Sequence, residues 1–229
     1  MLKKHPGKIF LGVAALLIVG SIVISNQASS NADEGVVIET YVKGNADASV
    51  VVTEYSDFQC PACAQFYPVV KELMEERGDD IRFEYKHFPL VSIHPFAVQA
   101  AKAAEAAGQQ GKFYEMHDKI FEGQTTWSRS ANPMPFFVQY AEELELDVST
   151  FRRHMRSGLI DQKVQDSFNE AREKGYTGTP TFELNGERMQ FETYDEWRTQ
   201  IIAAIDGPST TTSEAAATPE ASSDVRFGI

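Results

Sequence analysis

Ser49-Val-Val-Val-Thr-Glu-Tyr-Ser-Asp-Phe-Gln-Cys-Pro-Ala-Cys63 is the stretch from which the rest of the chain can be read. Its first half, Ser49 to Ser56, is apolar and rich in β-branched residues, with Asn45-Ala46-Asp47 before it and Asp57 after it. That pattern predicts a buried strand. Pro61 suits the first position of a helix, where its missing N–H is not needed. Cys63, Phe66, Tyr67, Val70, Leu73 and Met74 then recur at three and four residues, one face of a helix that runs through Arg77 and stops at Gly78. Ile81 to Phe88 alternates apolar and polar residues and predicts a second strand. A strand–helix–strand unit of this length makes the two strands parallel.

Downstream, helices are expected at His94–Ala107, Lys112–Phe121, Pro135–Leu144, Ser149–Arg156 and Ile160–Lys174, with a polar loop at 123–133. The pattern then returns to strand at Thr181–Leu184. Asn185-Gly186 is a strong hairpin turn, Glu187–Phe191 the return strand and Tyr194–Ile205 a closing amphipathic helix. Val36–Thr40 is a candidate edge strand. The order is β-α-β, a helical block at about 93–175, then β-β-α, an α/β fold.

The chain has two cysteines, Cys60 and Cys63, placed at a strand end and a helix start. Two intervening residues let the sulfurs meet across one helical turn. The unpaired N–H groups at the helix N-terminus favour a thiolate on the first cysteine. Cys60 is therefore expected to be the acidic, exposed, attacking sulfur, and Cys63, one turn inward, the shielded resolving one. Two alternatives stand beside this redox pair. A structural disulfide would close almost no loop and stabilise little. A zinc site would need two more ligands, and His87, His94, His117 and His154 show no paired spacing.

Glu54 lies in the middle of the first strand, six residues before Cys60. Facing inward, it could exchange a proton with Cys63 as a buried acid of raised pKa; facing outward, it is a solvated side chain. Gly178-Thr179-Pro180 precedes a strand directly. Such a proline fits a cis turn, with an ordinary trans turn the base case. His94 at a helix start reads as a capping or packing residue, and His117 as a packed histidine. Trp127 reads as core, with the rim of a groove the alternative, and Glu142-Glu143-Leu144-Glu145 as a solvated helix face.

Both ends differ from this core. Lys3, Lys4 and Lys8 precede an apolar run, Ile9 to Ile24. At about 1.5 Å per residue that run spans roughly 24 Å, short of a bilayer core of roughly 30 Å and longer than a usual signal-peptide region. Residues 1–8 are read as a cytoplasmic basic end and 9–25 as a transmembrane anchor or a cleaved signal, the anchor preferred. Residues 26–42 are a tether with the candidate edge strand, and 207–229, rich in Ser, Thr, Ala and Pro, a disordered tail. The chain of 229 residues carries 21 Lys+Arg against 33 Asp+Glu, a net charge of −12. This argues against nucleic acid as a partner, which needs clustered Lys and Arg.

Taken together, Gly44 to Cys63, His87-Phe-Pro-Leu, Gln110-Gly-Lys-Phe-Tyr-Glu-Met-His-Asp-Lys-Ile-Phe and Gly178-Thr-Pro-Thr-Phe resemble the DsbA-like thioredoxin-fold thiol–disulfide oxidoreductases, in order, across about 43–205. The resemblance implies a thioredoxin-like fold with an inserted helical domain, over 43–206. It implies that Cys60 is the nucleophile, Cys63 the resolving thiol and Glu54 the buried acid. It also implies that Pro180 is a cis-proline beside the disulfide and that the Thr179 backbone pairs with a bound peptide. No cofactor beyond the cysteine pair is expected. Implied partners are cysteine-containing extracytoplasmic proteins and a membrane reoxidant, quinone-linked in the family. The strongest oxidants of the family carry His between the cysteines. Here Pro61-Ala62 stands there, so a milder potential is expected, between roughly −120 and −270 mV. The reading is a membrane-tethered oxidase of substrate dithiols, its catalytic domain extracytoplasmic, or secreted if the leader is cleaved. A membrane-tethered reductase or isomerase and a thioredoxin-like peptide-binding chaperone are the alternatives.

Overall fold

The computed structural model describes residues 31–207. The anchor or signal reading, residues 26–30 of the tether and the tail beyond Gly207 fall outside the described residues. Among the described residues, no helix is long and apolar enough to cross a membrane.

Five strands form one mixed sheet: β1 (Val42–Gly44), β2 (Val50–Ser56), β3 (Ile81–His87), β4 (Thr181–Leu184) and β5 (Glu187–Arg188), in spatial order β1-β3-β2-β4-β5. β2 and β3 are parallel, as the βαβ reading requires, and the other pairs are antiparallel. Glu54 sits at the sheet centre, between Tyr85 on β3 and Phe182 on β4.

α1 (Pro61–Arg77) buries the six apolar positions that the spacing picked out, and Gly78 begins a short 3-10 turn after it. Alternation along β2 assigns the two faces of the sheet. Val50 and Val52 join the main core with Cys63 and Phe66 of α1, while Tyr55 turns to Phe88, Ala171 and Tyr176 on the other face. Glu54 keeps step with Val50 and Val52, so it points under α1. Between β3 and β4 run α2 (Ala97–Gly108), α3 (Phe113–Glu122), α4 (Gln124–Trp127), α5 (Met134–Glu143), α6 (Val148–His154) and α7 (Gly158–Glu173). α8 (Tyr194–Asp206) closes the chain against β2 and α1.

Four expectations are corrected. The helix expected from His94 starts at Ala97. A residue before proline disfavours helical geometry, and the His94 ring is held by Asp57 instead. The loop expected at 123–133 contains a one-turn helix, α4, that buries Gln124 and Trp127. The return strand Glu187–Phe191 ends at Arg188, and the chain leaves the sheet so that Phe191 can pack on Phe66 and Phe182. The edge strand lies at Val42–Gly44 rather than Val36–Thr40. There, Gln109 takes both the N–H and the carbonyl of Val37, and Lys163 takes the Glu39 carbonyl, so side chains satisfy the backbone that a strand neighbour would otherwise pair. The Asn185-Gly186 turn is as read: both residues have positive φ, 53° and 85°, as this two-residue hairpin turn demands.

Candidate active site

β2 ends at Ser56, and a tight turn carries the chain into α1. Asp57 builds that turn. Its Oδ1 accepts the Gln59 N–H at 2.7 Å, and its Oδ2 lies 2.8 Å from both the Leu90 N–H and Nδ1 of His94. The Gln59 side-chain oxygen accepts the Phe96 N–H. Cys60 follows as the N-cap of α1, in extended geometry, its N–H donating to the Asp57 carbonyl. Gln124 of α4 donates to the carbonyls of Phe58 and Cys60 at 2.8 and 2.9 Å. The Cys60 backbone is thus fixed from the strand, the loop after β3 and the helical layer.

The two sulfurs are in the dithiol state. Cys63 is fully buried, as its place on the apolar face requires. Cys60 was expected to be exposed; it is 7% exposed, a correction. The loop before β4 lies over it, and its thiol donates to the Thr179 carbonyl at 3.5 Å. It is nevertheless held acidic, chiefly by Cys63 rather than by the helix N-terminus. A hydrogen bond from the Cys63 thiol, with help from the Ala62 and Cys63 N–H groups, outweighs burial and brings Cys60 down to about 6. Burial, then the neighbouring Cys60 and Glu54, push Cys63 well above the ordinary thiol value. One sulfur is poised as thiolate and the other as thiol.

Glu54 is 2% exposed, and burial, reinforced by charge on Cys60, raises it to about 7. Its Oε1 has no hydrogen-bond partner. The outward-facing alternative for this residue is excluded. Pro61 occupies the first turn of α1, exposed, and Ala62 beside it is half-buried and brings no donor of its own side chain. The Thr179–Pro180 peptide bond is cis. The structure therefore brings Cys60, Cys63, Thr179 and Glu54 to one end of the sheet.

The remaining singled-out residues have structural roles. Trp127 is fully buried, with Nε1 donating to the Ile120 carbonyl, which removes the groove-rim alternative. His117 is packed among Phe58, Tyr67, Tyr85 and Phe121. Glu142, Glu143 and Glu145 are exposed. Among the described residues, no group of three or more His, Cys, Asp or Glu side chains converges as a metal site. Sequence reasoning missed Asp57, Gln59 and Gln124. For Asp57 there was a signal: an Asp at a strand end commonly accepts the N–H two residues on. Gln124 had none, since its partners lie more than sixty residues away.

A thioredoxin family model matches residues 37–203. Among solved structures, a thioredoxin-like oxidoreductase from Silicibacter pomeroyi is 25% identical, with a TM-score of 0.62 over 73% of this chain and 93% of that one. DsbA2 from Pseudomonas aeruginosa is also 25% identical, with a TM-score of 0.57 over 78% of this chain and 99% of that one. BdbD from Bacillus subtilis, at 21% identity, shares the fold with a TM-score of 0.64 over 76% and 95% of the two chains. Among curated relatives, Na(+)/H(+) antiporter NhaA 1 of Salinispora arenicola is 42% identical over 135 residues, 59% of this chain and 20% of that protein. The chain spans about a fifth of the length of the curated relatives it matches. With its family match, its βαβ…ββα sheet and its helical layer between β3 and β4, the chain belongs to the thioredoxin family and has the architecture of the DsbA-like thiol–disulfide oxidoreductases.

Proposed function

We propose that the chain oxidises substrate dithiols outside the cytoplasm through a Cys60–Cys63 disulfide, from a membrane tether formed by its N-terminal apolar segment. A substrate thiolate attacks Cys60, giving a mixed disulfide and releasing Cys63. A second substrate thiol then displaces Cys60, leaving an oxidised substrate and the reduced pair. The observation that carries this direction is the acidity of Cys60, about 6, set by the Cys63 thiol and the helix N-terminus. A stabilised thiolate favours the reduced enzyme, which makes the disulfide form an oxidant. A membrane-bound reoxidant, quinone-linked as in DsbA-like systems, restores the disulfide. Membrane tethering gains support from the curated relatives, whose matching segment belongs to polypeptides named as Na(+)/H(+) antiporters.

Equilibration with glutathione tests the direction. The expected potential lies between roughly −120 and −270 mV, because the Ala62 side chain supplies no charge or donor to hold the thiolate further. A value below that range overturns the oxidant reading in favour of a reductase or isomerase.

A further inference from the structure

Glu54 of β2 and His117 of α3 line the same small cavity, with room of about 10 Å³, enough for one water. Lys43 and Lys71 are the partly exposed side chains on its wall, 30% and 38% exposed; Val70, Phe83, Phe121 and Tyr67, whose hydroxyl donates to Glu122 and accepts from Lys71, close the rest. Two of the lining groups carry a buried polar atom without a hydrogen-bond partner, Glu54 Oε1 and His117 Nε2. Such atoms are rare because each forfeits its hydration. Two of them on one water-sized cavity, whose walls are otherwise mostly apolar, point to a shared bridging water.

The other ring nitrogen of His117 fixes which kind of partner Nε2 is. Nδ1 lies 2.8 Å from Oδ1 of Asp118, whose second oxygen is 3.6 Å from Lys43 Nζ. A carboxylate at Nδ1 places the proton there, so Nε2 presents a bare lone pair to the cavity. Burial lowers the His117 pKa, which keeps the ring neutral and ready to accept. The other titratable groups around the pair do not compete for this role. Cys60 and Cys63 face Glu54 from α1 as the reacting sulfurs. The Tyr85 hydroxyl, pushed well above its ordinary value by burial, stays protonated. His87 on β3 pairs with Glu105.

We propose that His117 is a positioning residue that passes protons between Glu54 and solvent through one water in this cavity, an inference that rests on the thiol–disulfide exchange reading above. When a substrate thiolate attacks Cys60, a bond forms from the substrate sulfur to Cys60 and the Cys60–Cys63 bond breaks. Cys63 leaves with the electron pair and takes the proton of the Glu54 carboxyl. A proton drawn from solvent past Lys43 and Lys71 is held on Nε2 of His117, opposite the Asp118 carboxylate. It crosses the water to the Glu54 carboxylate, and the ring returns to neutral. In the reverse direction, when Cys63 attacks a mixed disulfide, the same proton leaves by the same path.

The test follows the Glu54 proton directly. The carboxyl stretch of Glu54, identified in the oxidised protein by its loss in Glu54→Gln, is followed by infrared spectroscopy after mixing into D2O, with no thiol present. His117→Gln, which keeps a polar side chain but cannot carry a proton, is expected to slow exchange by about tenfold or more. Asp118→Asn, at a partly exposed position and so a second variant if the first folds poorly, is expected to slow it too. In reduction of the disulfide by dithiothreitol, His117→Gln is expected to lower the rate about tenfold, yet to add nothing in a Glu54→Gln background, since residues on one path do not act independently. Wild-type exchange rates in both variants, or additive losses in the double variant, overturn the proposal. A wild-type protein that dithiothreitol leaves unreduced overturns the exchange reading instead, while the infrared rates still report on the path.

Discussion

Gln124 holds Cys60 from the helical layer: one carboxamide nitrogen donates to the Cys60 carbonyl at 2.9 Å and to the Phe58 carbonyl at 2.8 Å. Both carbonyls lie on the turn that leads into α1 and places Cys60, and the Gln124 side chain is buried. Gln124→Leu keeps the volume and removes both bonds, leaving the buried Phe58 carbonyl unpaired and the Cys60 carbonyl with only the Ala64 N–H. The expected loss is about 1–3 kcal/mol of stability, read as a lower thermal midpoint. An unchanged midpoint would show that these bonds contribute nothing net.

Asp57 is the second support of that turn, and it is fully buried. Its two oxygens serve three donors: the N–H groups of Gln59 and Leu90 and the His94 ring. Asp57→Ala leaves all three without their acceptor and is expected to destabilise by at least about 3 kcal/mol. Asp57→Asn keeps acceptor capacity on one oxygen and should recover part of that loss. Urea denaturation of the two variants checks the order: Asp57→Asn as damaging as Ala would mean the hydrogen bonds to the Gln59 and Leu90 N–H groups are not what Asp57 contributes.

Much of this architecture was legible because its signals are local. The six apolar positions of α1 and the alternation of β3 are periodic, and the Asn185-Gly186 turn is chemically specific. Even Pro68, a helix breaker, does not end α1, because the buried face on either side of it outweighs one lost bond. The failures came where tertiary partners decide. Val36–Thr40 has strand-like composition, yet Gln109 and Lys163 occupy its backbone groups. Trp127 lies in a polar run, yet its ring is buried against Phe137. Cys60 is covered by a loop more than a hundred residues downstream in sequence. At the site, the cysteines and Glu54 could be named from spacing, whereas the meeting of Glu54 with His117 in one cavity needed the fold.

Glu54 makes stability depend on pH. Its folded pKa, about 7, is raised by burial above the ordinary carboxyl value. A group raised in this way favours the folded state at low pH, and that contribution is lost as pH rises through about 7. Glu54→Gln removes the cost of burying the charge. In the oxidised protein it is expected to raise stability by roughly 3 kcal/mol at pH 8 and by little at pH 5. Melting curves at the two pH values measure this difference, and an equal effect at both would place the Glu54 titration elsewhere.

Cys63→Ala tests the division of labour between the sulfurs, with two consequences that pull in opposite directions. Without a resolving thiol, Cys60 should accumulate mixed disulfides with thiol substrates, seen as reducible adducts on a gel. The same substitution removes the largest support of the Cys60 thiolate, the Cys63 hydrogen bond. The pH midpoint for alkylation of Cys60 should therefore rise from about 6 towards the ordinary thiol value, held only partly by the Thr179 hydrogen bond and the Ala62 and residue-63 N–H groups. The sign carries into stability. A depressed thiol contributes above its unfolded pKa, and its contribution is lost as pH falls through the folded value near 6. Reduced wild-type protein should thus lose more stability between pH 8 and pH 5 than reduced Cys63→Ala. A midpoint that stays near 6 in Cys63→Ala would mean that the helix N-terminus and Thr179, without the Cys63 thiol, set the acidity of Cys60.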